Sequence, residues 1–315
     1  MMKKLFVTII LLVTVKVSAQ EVDLPQYINH MADNPFLISP AYAGIGAGFQ
    51  LRLNGISQWV GVKDAPNTQS LNLEARLAER FGGGITLFND SNGETTQKGV
   101  RLTMASHLIL SDLYDSFFSL GLSYSFIQLG IDTSNNNTPQ IGLPNRVLNS
   151  SNFDISMLYR FGRFAISGNV VNLLDKKIDN FKTGEPEVLR RYSAYTNYNF
   201  RINRNTEFEP SAFVEYFEAS NRSRTDLNVK LRKRIRDGYI WGGVSYTFLN
   251  DQFFTPNAVA PLFGIKKNKF YASYGFSITT NEIIGFNNGT HMITLGFDYD
   301  RRPSLARCTQ KMIMF

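Results

Sequence analysis

The sequence predicts an all-β fold: a transmembrane antiparallel outer-membrane β-barrel of about 14 strands behind an irregular N-terminal segment. Three observations predict it. Hydrophobicity alternates with period two from residue 47 onward, with aromatic-rich faces set against glycine and serine. The connections between the alternating stretches are long and short by turns. The composition has 25 Phe and 14 Tyr, aromatics at 13%, and charged residues at only 19%, below the usual quarter. No internal run approaches the 18 apolar residues of a membrane helix, so the aromatic content is not that of a helical bundle. A single cysteine, Cys308, excludes a disulfide framework and any Cys-based zinc or iron–sulfur centre. The histidines are His30, His107 and His291, too few for a His-rich metal site, and no cofactor is expected.

Residues 1–19 read as a secretory signal peptide. Lys3 and Lys4 form the positive n-region, Leu5 to Val15 the apolar stretch, and Val17-Ser18-Ala19 the small-residue cleavage site before Gln20. No cysteine follows, so no lipoprotein is expected. Three lysines leave with this segment, taking the formal charge from +7 to +4 (30 basic against 26 acidic residues). Residues 20–46 have no period and contain Pro25, Pro35 and Pro40, which restrict the unfolded chain and reduce the entropy lost on docking. This segment is expected to be ordered against the barrel as a plug, with Phe36, Leu37 and Tyr42 as its apolar contacts.

The barrel is assigned to residues 47–299 and a periplasmic tail to 300–315. Its candidate strands are 47–59, 68–77, 81–88, 99–108, 117–127, 152–159, 164–171, 191–200, 207–215, 224–231, 240–248, 258–265, 269–279 and 290–299. In the fifth, Phe118, Leu120, Leu122, Tyr124 and Phe126 oppose Ser119, Gly121, Ser123 and Ser125. Because successive side chains point to opposite faces, the first set is read as lipid-facing and the second as lumenal. A charge at Leu122 is therefore expected to cost more than one at Ser123. Connections after odd strands hold about 8, 10, 24, 19, 8, 9 and 10 residues, and those after even strands about 3, 8, 4, 6, 8 and 3. Long loops are extracellular in bacterial barrels and short turns periplasmic, so an even strand count puts both termini in the periplasm. Glu74, Arg76, Arg101, His107, Asp154, Arg191, Glu209 and Glu215 fall opposite the apolar sets, where charges of both signs knit a lumen together. Gly82-Gly83-Gly84 lies within a strand and reads as a bend or a close approach.

No metalloprotease, EF-hand or P-loop motif appears, nor an ordered catalytic triad, so the chain is not read as an enzyme. The strongest charge feature is Lys230, Arg232, Lys233, Arg234 and Arg236, placed at a short turn. With Arg80, Arg163 and Arg204 it makes a candidate basic rim on the periplasmic side. No aromatic interleaving accompanies it, and nucleic acid is not an expected partner.

Two signatures then carry a resemblance. Asn34-Pro35 with Pro40-Ala41-Tyr42-Ala43-Gly44, and Gln58-Trp59-Val60-Gly61 with Ala65-Pro66 and Gln69, resemble the "NP…INPAYAG" and "QWVG…APxTQ" patterns of the PorP/SprF family. Asn169 to Leu173, Glu209-Pro210-Ser211 and Gly289-Thr290-His291 extend the match over nearly the whole mature chain. Ser39 stands where asparagine is usual, and Met292 where an acidic residue is. The resemblance implies an outer-membrane component of type IX secretion and gliding in Bacteroidetes. It implies an anchor that binds the C-terminal domain of a secreted adhesin and holds it at the cell surface. Periplasmic lipoproteins of the machinery and outer-membrane lipid are the other implied partners. The signature residues become candidate partner contacts. A porin or long-chain-fatty-acid-type transporter is the alternative, and a barrel phospholipase a third.

Overall fold

The computed structural model describes residues 31–46, 48–131, 146–174, 190–252, 257–280 and 288–299. The signal peptide, His30, Cys308, the tail and most of the two longest loops lie outside these residues. Two 3₁₀ turns, Pro35–Leu37 and Pro40–Tyr42, precede the strands. The strands are β1 Phe49–Ser57, β2 Asn67–Ala78, β3 Phe81–Asn92, β4 Thr95–Ser111, β5 Ser116–Ile131, β6 Arg146–Phe161, β7 Phe164–Val171 and β8 Arg191–Tyr198. They continue as β9 Phe200–Arg201, β10 Thr206–Phe217, β11 Arg222–Ile235, β12 Gly238–Leu249, β13 Ala258–Lys267, β14 Phe270–Thr279 and β15 Thr290–Tyr299. β8 and β9 are one stave, because both pair with β10 in the same register and part only around Pro210, which has no N–H to give. The result is a closed antiparallel barrel of 14 staves, sealed where β1 pairs with β15 from Phe49–Tyr299 to Ser57–His291.

The wall is inverted relative to a soluble protein. Leu122 is 49% exposed on the outside, while Ser123 beside it is 0% exposed. Leu53, Met104, Phe263 and Ile293 stand outward, and Asp154, Glu215 and Asp226 are buried within. Apolar outside and polar inside is the partition of a wall in lipid. Aromatic pairs such as Phe49–Phe297 and Tyr114–Phe161 mark one rim, and Tyr192–Tyr216 lies at the other. Leu122→Arg therefore destabilises the barrel by roughly 2–4 kcal/mol near the bilayer midplane. Ser123 is not the tolerant control that alternation suggests, because its hydroxyl is buried at 2.7 Å from Thr103. Gln50, which borders open space in the lumen, is the better one. Heat-modifiability of Leu122→Arg and Gln50→Arg checks the assignment, and equal loss in both would overturn it.

The loop pattern needs one correction. The connection of about 10 residues expected between the third and fourth strands is the turn at Gly93 and Glu94, since β3 reaches Asn92 and β4 begins at Thr95. Likewise β4, β5 and β6 run 17, 16 and 16 residues. Crossing the hydrocarbon takes only about 9–11. Beyond lipid both faces are polar, so the period fades while the ladder continues.

Inside, the charges pair. Arg101 meets Asp154 at 3.2 Å, and Glu215 bridges Arg191 and Arg224 at 3.2 Å each. Asp298 holds Arg52 and, at 2.6 Å, Lys266.

Candidate functional site

Residues 31–46 occupy the lumen. Each proline of the two turns begins a 3₁₀ helix, where its fixed φ suits the first position and its missing N–H costs nothing. The turns bury Phe36, Ile38, Ala41, Tyr42, Ala43 and Ile45 against Phe117, Leu158, Tyr195 and Phe213 of the wall. The segment hugs β3 to β6, most closely where the wall carries glycine. A Cβ on Gly82 would lie 1.9 Å from the Ala43 carbonyl oxygen, and one on Gly121 would lie 2.4 Å from the Ala41 nitrogen. Gly44, at φ +68, is itself obligatory, since a side chain there would meet the Ala75 carbonyl at 2.5 Å.

Polar contacts fix the backbone of the segment. Glu74 accepts the Gly44 N–H at 2.9 Å, and Arg76 donates to the carbonyls of Gly44 at 2.5 Å and Ile45 at 2.7 Å. His107 Nε2 donates to the Ala43 carbonyl at 3.1 Å, which leaves Nδ1 to accept from Ser119 at 2.7 Å. On the opposite wall, Asp33 receives Lys230, Arg232 at 2.5 Å and the Tyr239 hydroxyl at 2.7 Å. Lys230 also donates to the Met31 carbonyl at 2.7 Å and lies 4.4 Å from the centre of the Trp241 ring. Burial alone would raise the Asp33 carboxyl, but Arg232 and Lys230 outweigh it and hold the group well below the usual carboxylate range.

The segment leaves a cavity of about 140 Å³ between itself and the wall. This vestibule is bounded by Asp33, Pro35, Tyr42 and Ile45 and lined by Arg52, Arg160, Arg163, Tyr195, Asn197, Asn199, Glu209, Arg232 and Lys266. These wall residues come from the strand ends nearest the short turns.

At the other end, residues 58–66 form a rigid platform. Gln58 N–H donates to the Pro66 carbonyl at 2.9 Å, closing the loop, and Val62 N–H to that of Trp59 at 3.0 Å. Val60 exchanges hydrogen bonds with Gly289 and Asn288 at 3.1 and 2.9 Å, and Gly93 N–H reaches the Asp64 carbonyl at 3.0 Å. Trp59 and Asp64 take positive φ, 45 and 57, as does Gly61 at 98. Val62, Lys63 and Asp64 are exposed.

A family model described as type IX secretion system membrane protein PorP/SprF matches residues 19–297. The chain belongs to the PorP/SprF family. No curated protein matches it. Among solved structures, the CymD monoaromatic hydrocarbon channel is similar at 10% identity and a TM-score of 0.51, over 89% of this chain and 95% of that one. A Pseudomonas aeruginosa FadL homologue follows at 10% identity and 0.46, over 80% and 89%. The first likeness is one of fold, an outer-membrane barrel.

The two PorP/SprF signatures lie apart. Asn34, Pro35 and Pro40 to Gly44 are inside the lumen, whereas Gln58, Trp59, Gly61, Ala65 and Pro66 build the platform. Gln69 points outward from β2 and joins neither. The platform is instead pinned by Gly289, from the last matched stretch, Gly289-Thr290-His291. Of the basic residues, Arg80, Arg163, Arg204, Lys233, Arg234 and Arg236 are exposed at the short-turn end. Arg232 is not a rim residue: alternation along β11 turns it inward with Lys230, onto Asp33. Sequence reasoning missed Asp33, Tyr239 and Trp241. Large aromatics at lumenal positions of β12, where small residues were expected, were the available signal.

Proposed function

We propose that this PorP/SprF barrel anchors the C-terminal domain of a secreted surface adhesin at the outer membrane during type IX export and gliding, without catalysis. The long-loop end faces the medium, the short turns and both termini face the periplasm, and the basic rim of Arg80, Arg163, Arg204, Lys233, Arg234 and Arg236 meets lipoproteins of the machinery. The observation that carries the reading is the platform. A loop fixed at both flanks, with half-buried Trp59 on left-handed backbone and Val62 exposed beside it, loses little entropy when a folded partner docks. Family membership supplies the class of partner. The lumen, filled by the N-terminal segment and paired charges, supports an anchor over a solute channel.

Trp59→Ala with Val62→Ser is expected to release the secreted partner into the medium while heat-modifiability of the barrel stays intact. Truncating a central aromatic anchor costs roughly 2–4 kcal/mol in typical interfaces, a loss of about 30-fold or more in affinity. Full retention of the adhesin on cells carrying that variant would refute the platform as the contact.

A further inference from the structure

We infer that the open edge of β6 at the long-loop end is a docking site for an extended strand of a polypeptide outside the cell. The edge exists because β7 is turned off its neighbour early. β5 and β6 finish level, with Ile131 opposite Arg146, but the β6–β7 ladder ends at Ile155 and Val170. Arg146 to Asp154 therefore rise above β7. The turn-off is built from side chains. The Asn152 carboxamide accepts the N–H groups of Phe153 and Leu174 at 2.8 Å each and donates to the Leu174 carbonyl at 3.0 Å, filling the place of the next rung. Asp154 accepts the Asn172 N–H at 3.0 Å, where the chain leaves the strand at φ +57.

Above this cap the edge presents a defined set of main-chain groups. Leu173 N–H reaches the Phe153 carbonyl at 2.8 Å, so the odd-numbered residues of β6 turn their N–H and C=O toward the β7 side. Ser151 is already engaged, whereas Val147 and Asn149 each offer an N–H and a carbonyl that no described residue meets on that side. Both residues are exposed, Val147 at 64%. The strand behind them is firm. Leu148 packs on Phe88, Ile127 and Leu129, and the register with β5 is unbroken from Ser116 to Ile131. Proteins blunt open edges with lysine, proline or a bulge. Val147-Leu148-Asn149-Ser150-Ser151 has none of these.

Alternating donors and acceptors at strand spacing match another extended main chain, so the occupant is a β-strand rather than a lipid or a sugar. A second copy of this chain does not fit. Two upright copies are related by an axis along the membrane normal, which brings each residue of β6 level with its own copy and sets N–H against N–H. A separate polypeptide is free to arrive antiparallel. The inference deepens the anchor reading and rests on it for the side of the membrane and the source of the strand.

The test uses the full-length chain, first purified in detergent and then on cells. Without a partner, the amides of Val147 and Asn149 should exchange hydrogen at least about tenfold faster than those of Leu148 and Ser150, which face β5. Equal protection of all four would mean that the chain covers its own edge, and would overturn the inference. On cells, the probe is the surface protein that is retained when the barrel is present and released when it is deleted. Asn149→Pro removes one N–H from the open edge and none from the β5 ladder, and should raise the rate of release about tenfold, since a main-chain acceptor of the docked strand loses its donor. Asn149→Ala loses the same side-chain contact to Gln128 but keeps the N–H, and should retain the protein as wild type does. Heat-modifiability verifies folding, and Val147→Pro repeats the test at the other open residue. Release unchanged by both prolines, or raised equally by Asn149→Ala, overturns the inference. Release by the platform variant alone keeps the anchor reading and removes the edge. If no surface protein depends on the barrel, the anchor reading fails and takes this one with it.

Discussion

Replacing Asp33 with alanine is expected to destabilise the folded protein by about 3–5 kcal/mol, the usual cost of removing one partner from a buried ion pair. The change strands Lys230 and Arg232, both largely buried, and takes the acceptor from Tyr239. Arg232 retains Glu207 at 3.8 Å, but the one carboxylate ion pair described for Lys230 is gone. Asp33→Asn should recover little, since it keeps the shape and loses the charge. Adding Lys230→Met to Asp33→Ala should recover part of the loss, because an apolar side chain needs no counterion. Denaturant unfolding in detergent measures all three, and an unchanged midpoint for Asp33→Ala would remove the clasp from the account. The sign with pH follows from a carboxyl held low in the fold. Its contribution is complete above the ordinary carboxylate range and disappears only as pH falls through the lower, folded value. Mild acidification should therefore leave the clasp closed.

The second large effect comes from single methyl groups. Gly82→Ala places a Cβ 1.9 Å from the Ala43 carbonyl oxygen, and Gly121→Ala places one 2.4 Å from the Ala41 nitrogen and 2.5 Å from the Pro40 carbonyl carbon. In both the obstacle is backbone, which cannot rotate away as a side chain would. The N-terminal segment must lift from β3 to β5 or the wall must bend. Overpacking a well-filled interior costs about 1–3 kcal/mol, and two fixed backbones put these variants at the upper end. About 3 kcal/mol is a shift of roughly 100-fold in the docking equilibrium. Cleavage within 31–46 by added protease should accelerate accordingly while the barrel remains heat-modifiable. Gly55→Ala is the matched control, because its Cβ would meet nothing within 4 Å. Equal proteolysis of all three variants would mean that the segment is not held by these contacts.

The barrel was legible because lipid and lumen impose opposite chemistry on alternate residues. Phe118 to Phe126 carry that contrast over nine residues, five apolar and four small, and no soluble face requires it. The strand ends were not legible, as at Thr95 to Lys98, where both faces are polar and the contrast vanishes. The triple glycine of β3 announced a close approach without saying what approaches. Ala43 and Phe36 come from a segment with no period, so nothing in sequence matched them to Gly82 and Gly84. Arg232 was misplaced for a related reason. A run of basic residues looks like a solvated turn until a carboxylate almost 200 positions away, at Asp33, is found holding Lys230 and Arg232 inward. The platform residues were visible as a signature, but their link to Gly289 spans the closing seam and leaves no local trace.

That seam also sets an order of events. Every other wall contact joins neighbours along the chain, whereas β1 and β15 must find each other across the whole barrel, as Asn54 and Thr294 do over a separation of 240 residues. Contacts so distant bear the largest loop-closure entropy and form late, after the local hairpins have zipped. A slip of one residue would turn each side chain of β1 to the wrong face and part Arg52 from Asp298, so the buried pair proofreads the join. Because residues 31–46 immediately precede β1, the strand that closes last brings with it the segment it encloses. Maturation of this barrel thus ends in a single locking step in which register, filling and closure are decided together.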